Sequence, residues 1–206
     1  RDRLNITGLA IQSWEKIGYT SEEFFEFWKK YAECILSKNR QGIFFWDEDI
    51  VFYLKRIISK EPMNHACLNK PCGIGTIQCA YNYKGEIYTC DEARADETFK
   101  LGNVKENSYR EIFTSPAIAS LIGLSCGVSL LCDTCPWNAY CSPCLITTYG
   151  SQKNLIPKLS SDFLCKIRGS QVKYVFEKLL FSKDKEILFG WLKRIFTHLY
   201  QRVGGF

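Results

Sequence analysis

Apolar residues recur at helical spacing towards both ends of the chain and lose that spacing in the middle. Phe24, Phe25, Phe27, Trp28, Tyr31, Cys34, Ile35 and Leu36 predict one apolar helix face. Thr20 and Glu23 open it as a capping box, and Asn39 to Gly42 supply a stop. A second helix is expected from Asp47 to Lys60, with Ile50, Val51, Tyr53, Leu54, Ile57 and Ile58 as its buried stripe. Beyond Cys165, Val172, Val175, Phe176, Leu179 and Leu180 form one stripe. Ile187, Leu188, Trp191, Leu192, Ile195, Phe196 and Leu199 form another, opposite Lys185, Lys193 and Arg194. That last face suits packing on another part of the protein better than a membrane surface. Cys34 lies on the first stripe and reads as a core filler rather than a ligand.

The middle is different. From Glu61–Pro62 onwards turns dominate, and ten cysteines lie between Cys67 and Cys165. Ile77 to Tyr83 alternates, Lys84–Gly85 turns and Glu86 to Cys90 returns, which predicts a hairpin. Short helices are expected over 107–113 and 116–122, and irregular chain from Cys126 to Tyr149, where metal bonds can replace a hydrophobic core. The division expected is a helical segment 1–60, a cysteine-rich domain 61–170 and terminal helices 171–206. The fold class is α+β: a small β-hairpin and irregular cysteine-rich region flanked by helices.

Composition narrows the function. The 206 residues are 46% hydrophobic and 24% charged, enough for an ordinary core. The net charge of +5 is spread along the chain, so nucleic acid is not an expected partner. No apolar run is long enough to span a membrane and no signal peptide opens the chain, which starts at Arg1 and reads as cut from something longer. The expected compartment is the cytoplasm, where clustered cysteines bind metal or do redox chemistry. Eleven cysteines would also leave one over from a pure disulfide framework.

The strongest signal is Cys132-Asp-Thr-Cys135-Pro-Trp-Asn-Ala-Tyr-Cys141-Ser-Pro-Cys144. Cys-x2-Cys lets both sulfurs of a turn address one metal centre, whereas a disulfide there would close only a tiny loop. The second signal is Cys72-Gly-Ile-Gly75 followed by the hairpin that returns at Cys90. Gly73 and Gly75 would let the backbone approach a bulky cluster closely. Cys67 is the natural addition to this set, and Cys165 completes a count of eight. Two four-thiolate zinc sites would use the same number, although neither half reproduces the usual zinc-ribbon spacing. The chemistry of the residues alone leaves iron–sulfur clusters and zinc both open, the latter as a zinc-stabilised binding module without a redox role.

The order of the whole set, Cys72-x12-Gly85-x4-Cys90, then Cys132-x2-Cys135-x5-Cys141-x2-Cys144, then Cys165, resembles the SPASM domain of radical SAM enzymes that modify peptides and proteins. One departure is the Cys141–Cys144 gap, which the family usually makes one residue longer. The run from Tyr81 to Arg94 with Leu101-Gly-Asn-Val104 resembles the His-Xaa-Ser system maturases. So do Cys165-Lys-Ile-Arg running into Tyr174–Lys178, and the stretch from Leu4-Asn5 to Phe24.

The resemblance implies two auxiliary [4Fe–4S] clusters, one on Cys67, Cys72, Cys90 and Cys144 and the other on Cys132, Cys135, Cys141 and Cys165. It implies that residues 1–60 are the end of a partial (β/α)6 barrel. S-adenosylmethionine and a third cluster would then sit in a preceding part, because Cys-x3-Cys-x2-Cys does not occur here and this piece should be inactive alone. The expected partners are a peptide or protein substrate, the radical SAM core and an external electron carrier. Asp91 stands where a sulfatase-oxidising class of SPASM enzymes keeps a general base; its other reading is a cap of the turn after the strand. Arg94 could pair with that acid or with substrate. Cys79 reads as buried packing on a strand, Cys126 as a reserve ligand and His65 as a loop residue.

Overall fold

The computed structural model describes residues 19–59, 66–126, 130–156, 158 and 161–203. They fall into two compact units. One is Pro62–Cys165; the other joins the residues before it to Lys166–Phe206.

The second of these units is helical. Helix α1 (Ser21–Arg40) opens on the expected capping box: Thr20 Oγ1 accepts from the Glu23 N–H and the Glu23 carboxylate accepts from the Thr20 N–H. Its buried face is Phe24, Trp28, Ala32, Ile35 and Leu36. Phe27 and Cys34 are exposed instead. The 3.6-residue period puts Ala32 and Leu36 inward and turns Cys34 away from them, so Cys34 is no core filler. Helix α2 (Glu48–Ile58) is capped by Asp47, which accepts from the Ile50 N–H at 2.8 Å, and it buries Ile50, Val51 and Leu54. Ile58, expected on its stripe, is exposed.

Two longer helices complete this unit, α7 (Phe163–Phe181) and α8 (Lys185–Val203). Ile167, Gln171, Val172, Tyr174, Val175 and Leu179 are the buried positions of α7, while Leu180 points to solvent. Leu188, Trp191 and Leu192 are buried on α8, which packs on α1 and α2. The side chains of Phe196, His198 and Leu199 lie outside the described residues.

Polar contacts fix the helices against each other. Trp191 Nε1 donates to Asn39 Oδ1 at 3.0 Å, and Tyr174 OH donates to Glu33 at 2.8 Å. Arg40 spans both oxygens of Asp184, from Nε at 2.7 Å and Nη2 at 2.6 Å. Among the described residues no helix is long and apolar enough to cross a membrane.

The unit Pro62–Cys165 is built on a three-stranded antiparallel sheet in the order β1 (Ala80–Tyr81), β2 (Glu86–Tyr88), β3 (Lys100–Asn103). The hairpin is shorter than its alternation suggests: Ala80 faces Tyr88 and Tyr81 faces Ile87, whereas Ile77 sits exposed in a turn. Asn82 closes the hairpin, its Oδ1 accepting from the N–H groups of Lys84 and Glu86. Gly85 takes the φ of +84° the turn demands. Cys79, half-buried just ahead of β1, lies 3.6 Å from Tyr81 OH and is not a core residue.

After two 3₁₀ turns, Glu92–Ala95 and Glu97–Phe99, β3 pairs with β2. Helices α3 (Tyr109–Phe113), α4 (Pro116–Ser125), α5 (Leu130–Asp133) and α6 (Leu145–Gln152) follow. The stretch from Cys126 to Tyr149 is therefore less irregular than expected, because α5 and the start of α6 lie within it. The core of the unit is Ile74, Tyr88, Cys90, Ala93, Phe99, Leu121, Leu145 and Ile146.

Candidate metal centre

Main-chain bonds hold the segments that carry the first expected set. The Cys72 turn is docked on the strand that leads to Cys90: Gly75 N–H donates to the Thr89 carbonyl at 3.3 Å. Thr89 N–H donates in turn to the Phe99 carbonyl at 3.3 Å. Gly75 has a φ of +65°, and a Cβ there would come 2.8 Å from Ile118 Cγ1. At Gly73 a Cβ would run into the Ile77 side chain. Gly75 is thus required by its own backbone conformation and by Ile118, whereas at Gly73 only the exposed Ile77 side chain stands in the way of a Cβ.

Cys90 lies in the core, and Cys72 and Cys144 pack against that same core. The N–H groups of Ala93 and Glu92, in the 3₁₀ turn that follows, point at the Cys90 sulfur. Burial pushes the Cys90 thiol up to about 12, and the Cys144 and Cys67 thiols are near enough to push it the same way. Cys144 caps α6: its sulfur accepts from the Thr147 N–H at 3.5 Å. Ser142 Oγ donates to the Asn69 carbonyl at 2.9 Å, which ties the Cys67–Cys72 loop to the Cys141–Cys144 loop.

The second set is made by consecutive turns. Cys135 N–H donates to the Cys132 carbonyl, Asn138 N–H to the Cys135 carbonyl and Cys141 N–H to the Trp137 carbonyl. Lys70 Nζ donates to the Asn138 carbonyl at 3.4 Å and is the cation beside Cys132. Burial nonetheless leaves the Cys132 thiol raised. Cys165 is in the first turn of α7, not in a loop ahead of it, and its N–H donates to the buried Asp162 carboxylate at 2.7 Å. Burial raises its thiol to about 11, and Cys141, Asp162, Cys132 and Cys135 all add to that rise.

The thiols therefore gather in two neighbourhoods, Cys90 with Cys144, Cys67 and Cys72, and Cys165 with Cys141, Cys132 and Cys135. None of the eleven cysteines is in a disulfide. Among the described residues no three His, Cys, Asp or Glu side chains are grouped closely enough to hold a metal ion as they stand. Thiolates on one tetrahedral zinc would sit about 2.3 Å from it. A four-iron cluster spreads its thiolates over a larger body. The donor set, thiols only and facing backbone N–H groups, fits such a cluster, and a four-thiolate zinc draws on the same donors.

The other candidates are placed as follows. Asp91 is exposed, makes no capping hydrogen bond and pairs with Arg94 Nη2 at 3.5 Å. The turn reading of Asp91 is thereby replaced by an ion pair, and it is Asp96 that caps the next 3₁₀ turn, through Thr98 N–H at 3.0 Å. Cys126 is exposed at the C-terminus of α4. His65 and the segment from Leu4 to Gly18 lie outside the described residues. Sequence reasoning missed Thr147 and Lys70; the signal for Thr147 was its position three residues after Cys144 at a helix start.

The family model of SPASM, an iron–sulfur cluster-binding domain, matches residues 72–145, the stretch that holds Cys72, Cys90 and the Cys132–Cys144 turns. The chain is also similar to two known proteins. It is 25% identical over 159 residues to the cysteine-type anaerobic sulfatase-maturating enzyme of Clostridium perfringens, covering 77% of this chain and 39% of that enzyme. It is 31% identical over 85 residues to the antilisterial bacteriocin subtilosin biosynthesis protein AlbA of Bacillus subtilis, covering 40% of this chain and 18% of that protein. The chain thus spans about two fifths, or less, of the relatives it matches. Its fold is shared with native anSMEcpe with bound AdoMet and Cp18Cys peptide, at a TM-score of 0.62 and 18% identity over 82% of this chain and 45% of that one.

Proposed function

We propose that this chain is the auxiliary-cluster portion of a radical SAM enzyme that modifies a peptide or protein after translation. Cys67, Cys72, Cys90 and Cys144 would hold one [4Fe–4S] cluster, and Cys132, Cys135, Cys141 and Cys165 a second. The observation that carries this reading is the gathering of the thiols into two neighbourhoods within a domain that matches a cluster-binding family. Such clusters supply one-electron chemistry at low potential, tuned by hydrogen bonds to sulfur and by burial. The chain's own contribution is to hold the sulfurs and to direct the N–H groups of Glu92, Ala93 and Thr147 at them. It also limits water around Cys90.

The substrate class follows from the relatives: one matures a sulfatase, another acts in subtilosin biosynthesis, and a solved structure of this fold holds a peptide. A peptide lying along the Cys90 side would meet Asp91, whose exposed carboxylate is the candidate base, with Arg94 as its partner or as a contact for the peptide. S-adenosylmethionine and its cluster would belong to a radical SAM core, and residues 1–60 would be the end of its partial (β/α)6 barrel. An electron removed from substrate would leave to an external carrier. Eleven thiols suit a reducing cytoplasm.

Anaerobic reconstitution tests the reading. The chain is expected to turn brown, absorb near 400 nm and carry about eight irons, four to a cluster. Cys90→Ala and Cys132→Ala should each remove about half of that iron. A colourless protein with two tightly bound zincs would establish the zinc module instead.

A further inference from the structure

The unit Pro62–Cys165 buries two side-chain hydroxyls that find no hydrogen-bond partner among the protein's atoms, Thr89 Oγ1 and Thr147 Oγ1. Thr89 is 0% exposed and Thr147 is 4% exposed. Buried polar groups in native proteins are nearly always paired, so each exception calls for a physical reason. Among the described residues of this unit no other buried side-chain nitrogen or oxygen is in that state. Both hydroxyls belong to residues beside the same thiol group: Thr89 precedes Cys90, and Thr147 already donates its N–H to Cys144 Sγ at 3.5 Å.

Thr147 is the sharper case. It is the third residue of α6, and a helical side chain leans over the turn N-terminal to its own Cα. That turn is the one Cys144 caps with its sulfur. Threonine in a helix commonly spends its hydroxyl on a carbonyl one turn back, and Thr147 does not. Its proton is thus uncommitted in a buried place next to a sulfur that main-chain N–H groups already address.

We infer that the Thr147 hydroxyl donates a hydrogen bond to the sulfur shell of the cluster proposed on Cys67, Cys72, Cys90 and Cys144, and thereby sets that cluster's reduction potential above that of an otherwise identical site. The inference rests on the cluster reading given above. A donor to sulfur stabilises the more negative, reduced state more than the oxidised one, which raises the potential. Thr147 is a positioning residue in this role: it holds no iron and touches no substrate.

The test compares the anaerobically reconstituted chain with its Thr147→Val and Thr147→Ser forms. Iron and sulfide are counted first, and each cluster is then titrated by electron paramagnetic resonance. Valine keeps the shape and removes the hydroxyl. It is expected to lower the reduced-to-oxidised ratio of one cluster about tenfold at fixed poise, which is ~59 mV for a one-electron couple. The other cluster should not move, and serine should restore the wild-type value. Full iron with an unchanged potential in the valine form overturns the inference while leaving the cluster reading intact. If valine loses iron and serine keeps it, the hydroxyl holds the site instead of tuning it, and the inference about the potential is overturned. Loss of iron in both forms overturns it, because the site would then need the whole threonine side chain, methyl and hydroxyl alike, merely to assemble. A wild-type chain that takes up no cluster defeats the reading beneath it, and is recognised at the first step.

Discussion

Ser142 Oγ donates to the main-chain carbonyl of Asn69 at 2.9 Å, joining two segments 73 residues apart. Ser142 is buried, and the loops it joins carry Cys67 and Cys72 on one side and Cys141 and Cys144 on the other. Removing the hydroxyl leaves a carbonyl without this donor, which costs about 1–3 kcal/mol. Ser142→Ala is expected to lower the denaturation midpoint of the cluster-free chain by that amount, read by chemical unfolding. It is also expected to slow cluster assembly, since the Cys67–Cys72 loop would no longer be held to the Cys141–Cys144 loop.

Gly75 and Gly73 stand two residues apart and should respond differently to alanine. At Gly75 the backbone φ of +65° and the approach to Ile118 both resist a Cβ. Gly75→Ala is expected to cost about 2 kcal/mol, strain of a left-handed residue included. The clash at Gly73 is with Ile77, an exposed side chain that can rotate away, so Gly73→Ala should cost less. Paired unfolding curves at one pH compare them; equal losses would show that Ile77 is held in place.

The thiols outside the two neighbourhoods should be dispensable. Cys34 on α1 and Cys126 at the end of α4 are exposed. Cys34→Ser and Cys126→Ser are expected to bind as much iron as wild type. A fall in iron for Cys126→Ser would move that residue into the ligand set in place of one of the eight.

Acid–base linkage gives a separate handle on the helical unit. Burial, with Asp47 and Glu48 close by, raises Asp49 to about 7 from an ordinary value near 4, against the opposing pull of Arg168. A carboxyl raised on folding contributes stability that is complete below its unfolded value and is lost as pH rises through its folded value. Asp49 therefore weakens the fold between pH ~4 and ~7. Asp184 runs the other way: Arg40 holds it down to about 2, so its contribution is present above pH ~4 and is lost in stronger acid. Asp49→Asn is expected to be more stable than wild type at pH 8 and nearly equal to it at pH 4, as thermal unfolding at the two pH values would show.

How much of this was readable beforehand follows from where the information lies. The capping box of Thr20 and Glu23, helix α2 (Glu48–Ile58) and the turn at Gly85 are local, and local spacing predicted them. Cys34 was misplaced because Phe27, Tyr31 and Cys34 widen the apparent apolar face of α1, while only Phe24, Trp28, Ala32, Ile35 and Leu36 turn inward. Strand β3 was not expected, since Lys100–Asn103 alternates weakly and gains its partner only through two intervening 3₁₀ turns. Among the site residues, spacing found the cysteines, but not the packing that explains Gly75. Thr147 and Lys70 carry no motif of their own; their place is set by folding.

Cys90 and Cys144 lie in one neighbourhood although more than fifty residues separate them along the chain. On a ribosome the early thiols of that group emerge well before the sulfur that accompanies them. For that interval a growing chain presents reactive, incompletely assembled sulfurs to oxygen and stray metals. Were this group to hold the proposed cluster, the timing of synthesis, and not only the finished geometry, would govern its assembly.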